Sequence, residues 1–263
     1  MMTSTASTAS TADTGAATAR ALRRLAAVET RLFLRDPATA FFGLAFPVLL
    51  MGVLGSIPAL RERSADLHGM STLQLYAPIM AVFSVLTLAM NGLPPVLAGY
   101  RERGVLRRLS ASPVRPVLVL GALLPLYLAV SVVSLLLVGA AGLAFGVPLP
   151  RQLPGFLLAF ALTVAALFAL GLLVAAVAPS AKAGNAIGAM LLFPLMFFSG
   201  IWIPRAFTPG LLSRIGDLTP SGAAVQALQD TWNGHLPQGV HLVTLAVFAL
   251  VAGAGAAKLF RWE

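Results

Sequence analysis

Residues 153–178 read LPGFLLAFALTVAALFALGLLVAAVA and contain no charged side chain. A helix needs roughly 20 mostly apolar residues to cross the hydrocarbon core of a bilayer, so this stretch is long enough to span it. Its apolar residues run continuously and do not alternate with polar ones, which favours a helix over a barrel strand. The stretch therefore predicts one membrane-spanning helix.

Five further stretches of the chain share this apolar character. Of the 263 residues, 58% are hydrophobic and 10% are charged, whereas soluble domains carry about 25% charged residues. The absence of cysteine excludes thiol catalysis, disulfides and cysteine-based metal sites. We predict an all-α membrane protein with six spans, at about 39–60, 73–100, 116–147, 153–178, 183–203 and 240–260.

Three segments outside these spans are less uniformly apolar than the spans themselves. Residues 1–18 are rich in Ser, Thr and Ala and predict a disordered tail. Residues 19–36 predict an amphipathic helix at the membrane interface, because leucines and arginines fall on its opposite sides. Residues 204–239 predict two short amphipathic helices that re-enter the membrane before the sixth span.

The basic residues are distributed unevenly between the two sides of the predicted topology. Thirteen of the 18 lie in 1–38, 101–115, 179–182 and 258–263, and the other five lie on the opposite side. The richer side is the cytoplasmic one by the positive-inside rule, so both termini are predicted to be cytoplasmic. Topology explains the net charge of +9, and no nucleic-acid partner is expected.

The loop after the second predicted span reads YRERGVLRRLSASPVR from Tyr100 to Arg115. Plotted as a helix, it places Val105 and two leucines on one face and its arginines on the other. Glu102 falls on the apolar side, where a carboxylate needs a partner. Two interpretations follow. The loop is either a basic segment that only fixes topology, or a helix that docks on a partner protein.

A second motif reads FPLMFFSGIWIP from Phe193 to Pro204 and is rich in aromatic residues. Together with the loop and the six-span pattern, it resembles the ABC-2 type permeases, including the daunorubicin-resistance exporters. The loop resembles that family's Glu-Arg-rich, Gly-containing segment, and the run Ser-Gly-x-x-x-Pro resembles its fifth-span signature. The resemblance covers the chain from about residue 19.

The resemblance implies a bacterial plasma-membrane exporter of the ABC-2, or ABCG-like, fold. Its partners would be two copies of an ABC ATPase and a second permease chain, identical or related. ATP and Mg²⁺ would be bound by the ATPase, and this chain would hold no cofactor. The second and fifth spans would line the path. Residues 101–112 would form the coupling helix, with contacts from Arg101, Glu102, Arg103, Gly104, Leu106, Arg107, Arg108 and Leu109.

The chain has no Walker A loop, because neither Lys182 nor Lys258 follows a glycine. The absence of an acid deep in any predicted span argues against a proton-coupled or sodium-coupled carrier. An apolar path suits hydrophobic or amphipathic cargo such as a drug, lipid or glycolipid. The residues proposed to line it are Asn91, Met190, Phe193, Met196, Phe197 and Phe198.

No catalytic or metal site is expected, because the three histidines lie at or outside the predicted external edge. Two other functions remain open at this point. One is a membrane-embedded enzyme that acts on lipid intermediates, and the other is an assembly subunit. Small-residue motifs at Gly142-x-x-x-Gly146 and Gly184-x-x-x-Gly188 also suggest close helix packing, and the second motif suggests a dimer contact.

Overall fold

Six helices among the described residues are long and apolar enough to cross a membrane. The computed structural model describes residues 7–64, 67, 69–110, 117–202, 208 and 210–260, without the side chains of 7–19, 21, 106, 109 and 110. The predicted six-span, all-α fold is confirmed. The spans are Pro37–Ser56, Thr72–Glu102, Val117–Ala144, Leu153–Val177, Ala181–Phe198 and Gly239–Leu259.

Helix α1 covers Ser7–Arg35 and precedes the first span. It therefore includes residues 7–18, which the sequence analysis assigns to a disordered tail. Alanine has the highest helix propensity of any residue, so this Ala-rich segment continues the amphipathic helix that follows it. Residues 1–6 lie outside the described part of the chain. Helix α1 packs mainly against the third span.

The first span consists of α2 (Pro37–Ala40), a π-helical turn (Phe41–Ala45) and α3 (Phe46–Ser56). Asp36 caps its start by accepting a hydrogen bond from the Thr39 N–H (3.2 Å). The span ends four residues before the predicted boundary, because Ile57 adopts an extended conformation ahead of Pro58. A separate short helix, α4 (Pro58–Arg61), follows.

The second span lies at the centre of the bundle. It runs through α5 (Thr72–Thr87), a π-helical turn (Leu88–Gly92) and α6 (Leu93–Glu102). In its most apolar stretch 83% of the residues are buried, whereas the corresponding figure for the fifth span is 17%. The second span is therefore the core of the fold, and the fifth span leaves most of its surface uncovered within one chain.

The remaining helices complete the bundle around the second span. A short helix, α7 (Val105–Ser110), follows α6 on the side of the molecule that the sequence analysis predicts to be cytoplasmic. The third, fourth, fifth and sixth spans are α8 (Val117–Ala144), α9 (Leu153–Val177), α10 (Ala181–Phe198) and α13 (Gly239–Leu259). On the opposite side lie α11 (Gly210–Asp217) and α12 (Pro220–Trp232), and most of α12 is buried.

Glycines bring the fourth and fifth spans against the π-helical turn of the second. A Cβ added at Gly171 would lie 2.2 Å from the Ala89 carbonyl oxygen, and one at Gly188 would lie 2.0 Å from that of Met90. Gly188 thus makes a contact within the chain, as does Gly184 against the Pro94 backbone. The motif at 184–188 therefore packs two spans of one chain together.

The other small-residue motif, at 142–146, has a different role. Gly146 has a φ of +85°, and the N–H of Val147 donates to the Gly142 carbonyl (2.9 Å). This is the hydrogen-bonding pattern of a Schellman C-cap, which ends a helix with a left-handed residue. Gly146 therefore ends the third span.

Candidate functional site

The loop between the second and third spans begins with a sharp change of direction at Gly104. This residue has a φ of +64°, which glycine adopts without the steric cost that a side chain imposes. Helix α6 ends with its cap at Arg103, and α7 starts at Val105. The second span therefore leads directly into α7 with one glycine as the joint between them.

Arg101 and Glu102 hold together the ends of three spans. The Arg101 guanidinium donates to the carbonyl of Ala176 (3.2 Å) and to that of Ala178, at the C-terminus of α9. The Glu102 carboxylate accepts from the N–H of Ala181 (2.9 Å), in the first turn of α10. A cation at a helix C-terminus and an anion at an N-terminus both have favourable interactions with the helix dipoles. We call this pair of contacts the Arg101–Glu102 clamp.

The Arg103 side chain also contacts residues of this chain, on the preceding turn of α6. Its Nε donates to the Gly99 carbonyl (3.1 Å), and its guanidinium carbon lies 5.7 Å from the centroid of the Tyr100 ring. The Arg103 carbonyl in turn accepts from the Arg108 guanidinium (3.0 Å). The side chains of the first three residues of the predicted coupling segment, Arg101, Glu102 and Arg103, are therefore all bound to backbone groups of this chain.

The outer part of the segment carries two exposed arginines. Arg107 and Arg108 are exposed on α7, and Gly104 and Val105 are half-buried. The side chains of Leu106 and Leu109, and all of residues 111–116, lie outside the described part of the structure. Two arginines on a short helix are thus presented beyond the clamp.

Five of the six residues proposed for the path lie on α10, and the sixth, Asn91, lies in the second span. Met190, Phe193 and Phe197 are 75%, 62% and 36% exposed on one side of α10. Met196 and Phe198 are half-buried, and the Phe198 ring meets that of Phe197 edge to face at 5.5 Å. Exposed Asn185 precedes these residues on the same helix. A polar amide on an otherwise apolar helix surface favours contact with protein or cargo over contact with lipid alone.

Asn91 belongs to a different environment. It is half-buried in the π-helical turn of the second span, among neighbours that are nearly all buried. Single π-helical turns inside α-helices occur frequently at functional sites. Ile203 and Pro204, the end of the fifth-span motif, lie outside the described residues.

A cavity of about 380 Å³ lies beside the clamp, between α1 and the second and third spans. Within it, Glu29 on α1 is 5% exposed and accepts a hydrogen bond from the Tyr100 hydroxyl (2.7 Å). Phe33 on α1 packs against Tyr127, with ring centroids 6.0 Å apart. The sequence analysis overlooked Glu29, although a single acid among the arginines of an amphipathic helix was a visible signal.

Burial raises the pKa of the Glu29 carboxyl above its ordinary value, and the hydrogen bond from Tyr100 partly offsets this effect. Asp36 and Arg103 also line the cavity. Helix α1 is therefore joined to the second span by a buried polar contact at Tyr100, the residue directly before the clamp.

Two comparisons bear on this arrangement of helices. A family model described as ABC-2 type transporter matches residues 20–232. The match covers α1 from residue 20 onward, the first five spans, α7 and the two short helices α11 and α12. A search of curated proteins finds no match to the chain.

Proposed function

Because the chain belongs to the ABC-2 type transporter family and has six candidate spans, we propose that it is the permease subunit of an ATP-driven exporter. It is a multi-pass membrane transport component, and family membership implies an ABC ATPase as its partner. In our proposal that ATPase is a separate chain, present in two copies, that binds ATP and Mg²⁺. The complex resides in a bacterial plasma membrane, with both termini of this chain in the cytoplasm.

The Arg101–Glu102 clamp is the observation that carries this proposal. It connects the end of the second span, next to α7, to the ends of the fourth and fifth spans through three hydrogen bonds. A force applied to α7 by the ATPase would therefore act on three spans together. Rigid-body movement of packed helices is a common basis for switching between conformations.

The cargo in this proposal is hydrophobic or amphipathic, such as a drug, a lipid or a glycolipid. Its support is the apolar surface of α10 with Met190, Phe193 and Phe197 exposed. Methionine and aromatic side chains adapt to irregular apolar ligands. A second permease chain facing this surface would enclose the path.

A charge reversal on α7 tests the coupling role. Arg107→Glu with Arg108→Glu, reconstituted with the cognate ATPase, should reduce cargo-stimulated ATP hydrolysis about tenfold or more, which corresponds to roughly 1.4 kcal/mol of docking free energy. The matched control is Arg23→Glu with Arg24→Glu, two exposed arginines on α1. The control should retain most of the stimulation.

Two results would overturn the proposal. The first is transport by the purified chain without any ATPase, and the second is full stimulation in the α7 variant. Conversion of a lipid by the chain alone would favour the membrane-embedded enzyme instead. If no cargo stimulates a complex that forms normally, the role is that of an assembly subunit.

A further inference from the structure

A second cavity lies on the side of the molecule opposite α7. Its volume is about 280 Å³, and four separate segments of the chain form it. They are the loop before the second span, the start of that span, the loop between the third and fourth spans, and the turn after α12. The residues whose polar side chains line it are Arg63, Gln74, Arg151, Asn233 and His235.

Hydrogen bonds fix the first two segments. Arg63 and Ser71 form an antiparallel bridge across the loop. The Ser71 hydroxyl then caps the second span by accepting from the Gln74 N–H (3.1 Å). The Gln74 side chain donates to the amide oxygen of Asn233 (3.3 Å), which leaves the Asn233 N–H groups for a ligand.

The turn after α12 is fixed by a Schellman motif. Gly234 has a φ of +92°, and the His235 N–H donates to the Asp230 carbonyl (2.9 Å). The neighbouring loop is attached to it, because the Gln152 N–H donates to the Thr231 carbonyl (3.1 Å). The stem of the Arg151 side chain packs closely over Gly234. Backbone hydrogen bonds therefore fix the part of the cavity formed by these two segments.

Arg63 and Arg151 give this cavity its positive charge. Within the described part of the chain, neither the Arg63 nor the Arg151 guanidinium has a hydrogen-bonding or carboxylate partner, and no described acid lines the cavity. Only five of the 18 basic residues are assigned to this side of the membrane. Two of those five line this cavity, together with an amide and a histidine that also offer donors.

We propose that this cavity binds the phosphate group of an anionic ligand. Guanidinium groups bind phosphate through paired, charge-assisted hydrogen bonds, which suits two arginines whose guanidinium groups have no carboxylate partner among the described residues. Gln74 and Arg151 lie at the first turn of the second span and just before the fourth, at the depth where lipid headgroups meet the hydrocarbon core. Sites for whole small molecules occupy roughly 300–1,000 Å³, so this cavity suits a headgroup. The ligand is therefore a phosphate-bearing headgroup or free phosphate.

Trp232 provides a local probe of binding. Its indole N–H donates to the carbonyl of Pro148 (2.6 Å), and Pro148 lines the cavity. The chain has two other tryptophans, Trp202 and Trp262. With both replaced by phenylalanine in the full-length chain, fluorescence reports the environment of Trp232. The purified protein would be titrated with short-chain phosphatidylglycerol, short-chain phosphatidylcholine and inorganic phosphate.

We expect phosphatidylglycerol to bind more tightly than the zwitterionic lipid. Arg63→Gln with Arg151→Gln should weaken binding about tenfold or more, the effect of roughly 1.4 kcal/mol. Arg214→Gln is the matched control, because Arg214 is exposed on α11 and does not line the cavity. If inorganic phosphate binds as well as the lipid, the site takes free phosphate.

Three outcomes would overturn the inference: no saturable response to either anion, an equal loss of affinity in Arg214→Gln, or unchanged affinity in the double variant. The thermal midpoint of each variant shows whether it is folded, and Arg63→Lys with Arg151→Lys gives a second double variant that retains the charge. This lysine variant should keep more affinity than the glutamine variant. Binding needs no ATPase, so its result is independent of the transport experiment.

Discussion

Glu29 is a carboxylic acid that the fold buries between α1 and the second span. Its pKa is raised by burial from an ordinary value of 4.5, so the folded chain holds its proton more tightly than the unfolded chain. The stability from this group is therefore complete below about pH 4.5 and is lost as the pH rises through the pKa of the folded state. The hydrogen bond from the Tyr100 hydroxyl favours the ionised form of the carboxylate and so limits this rise in pKa.

Two variants at this pair should respond to pH in different ways. Glu29→Gln removes the cost of ionisation, so its stability relative to the parent chain should increase between pH 4.5 and 7.5. Tyr100→Phe removes a hydrogen bond to a buried charged group and should cost about 1–3 kcal/mol, chiefly at the higher pH. Thermal unfolding in detergent across this range measures both. A parent chain and a Gln variant that lose stability in parallel would contradict the assignment.

At the scale of secondary-structure elements, the π-helical turn of the second span is packed by glycines from two neighbouring helices. Gly188→Ala would place a methyl group 2.0 Å from a backbone carbonyl oxygen, which no side-chain rotation relieves. Such overpacking typically costs about 1–3 kcal/mol, and we expect a lower thermal midpoint in detergent.

Gly52→Ala is the control for this prediction. Gly52 lies inside α3, and a Cβ added there meets nothing within 4 Å. Alanine is favoured over glycine inside a helix by roughly 0.5–1 kcal/mol, so this variant should be as stable as the parent chain or slightly more so. Equal losses in the two variants would show that the close contact at Gly188 has no special cost.

At the scale of the whole molecule, the uncovered surface of α10 predicts a second permease chain. The protein has no cysteine, so single cysteines can be introduced without background. Met190→Cys should be joined into dimers by a short bis-maleimide, because Met190 lies on the surface assigned to the interface. Leu250→Cys on α13 is similarly exposed, at 72% against 75%, and should remain monomeric. Preferential cross-linking at Leu250 would place the interface on the sixth span.

The six spans could be predicted from sequence because each is a local run of apolar residues. The clamp residues could be selected by their motif, but their partners could not. Arg101 and Glu102 contact backbone groups of residues 75 to 79 positions later, and backbone groups carry no sequence signal. Glu29 was overlooked for a similar reason, since its partner Tyr100 lies 71 positions away.

The central position of the second span also has a consequence for how the protein is made. Spans enter the membrane in order during synthesis, yet the glycines that pack against this span belong to the fourth and fifth. Until those later spans emerge from the ribosome, the second span lies in lipid without the helices that bury its polar groups in the finished protein. A nascent chain that stops after the third span would expose that surface to membrane proteases and insertion chaperones.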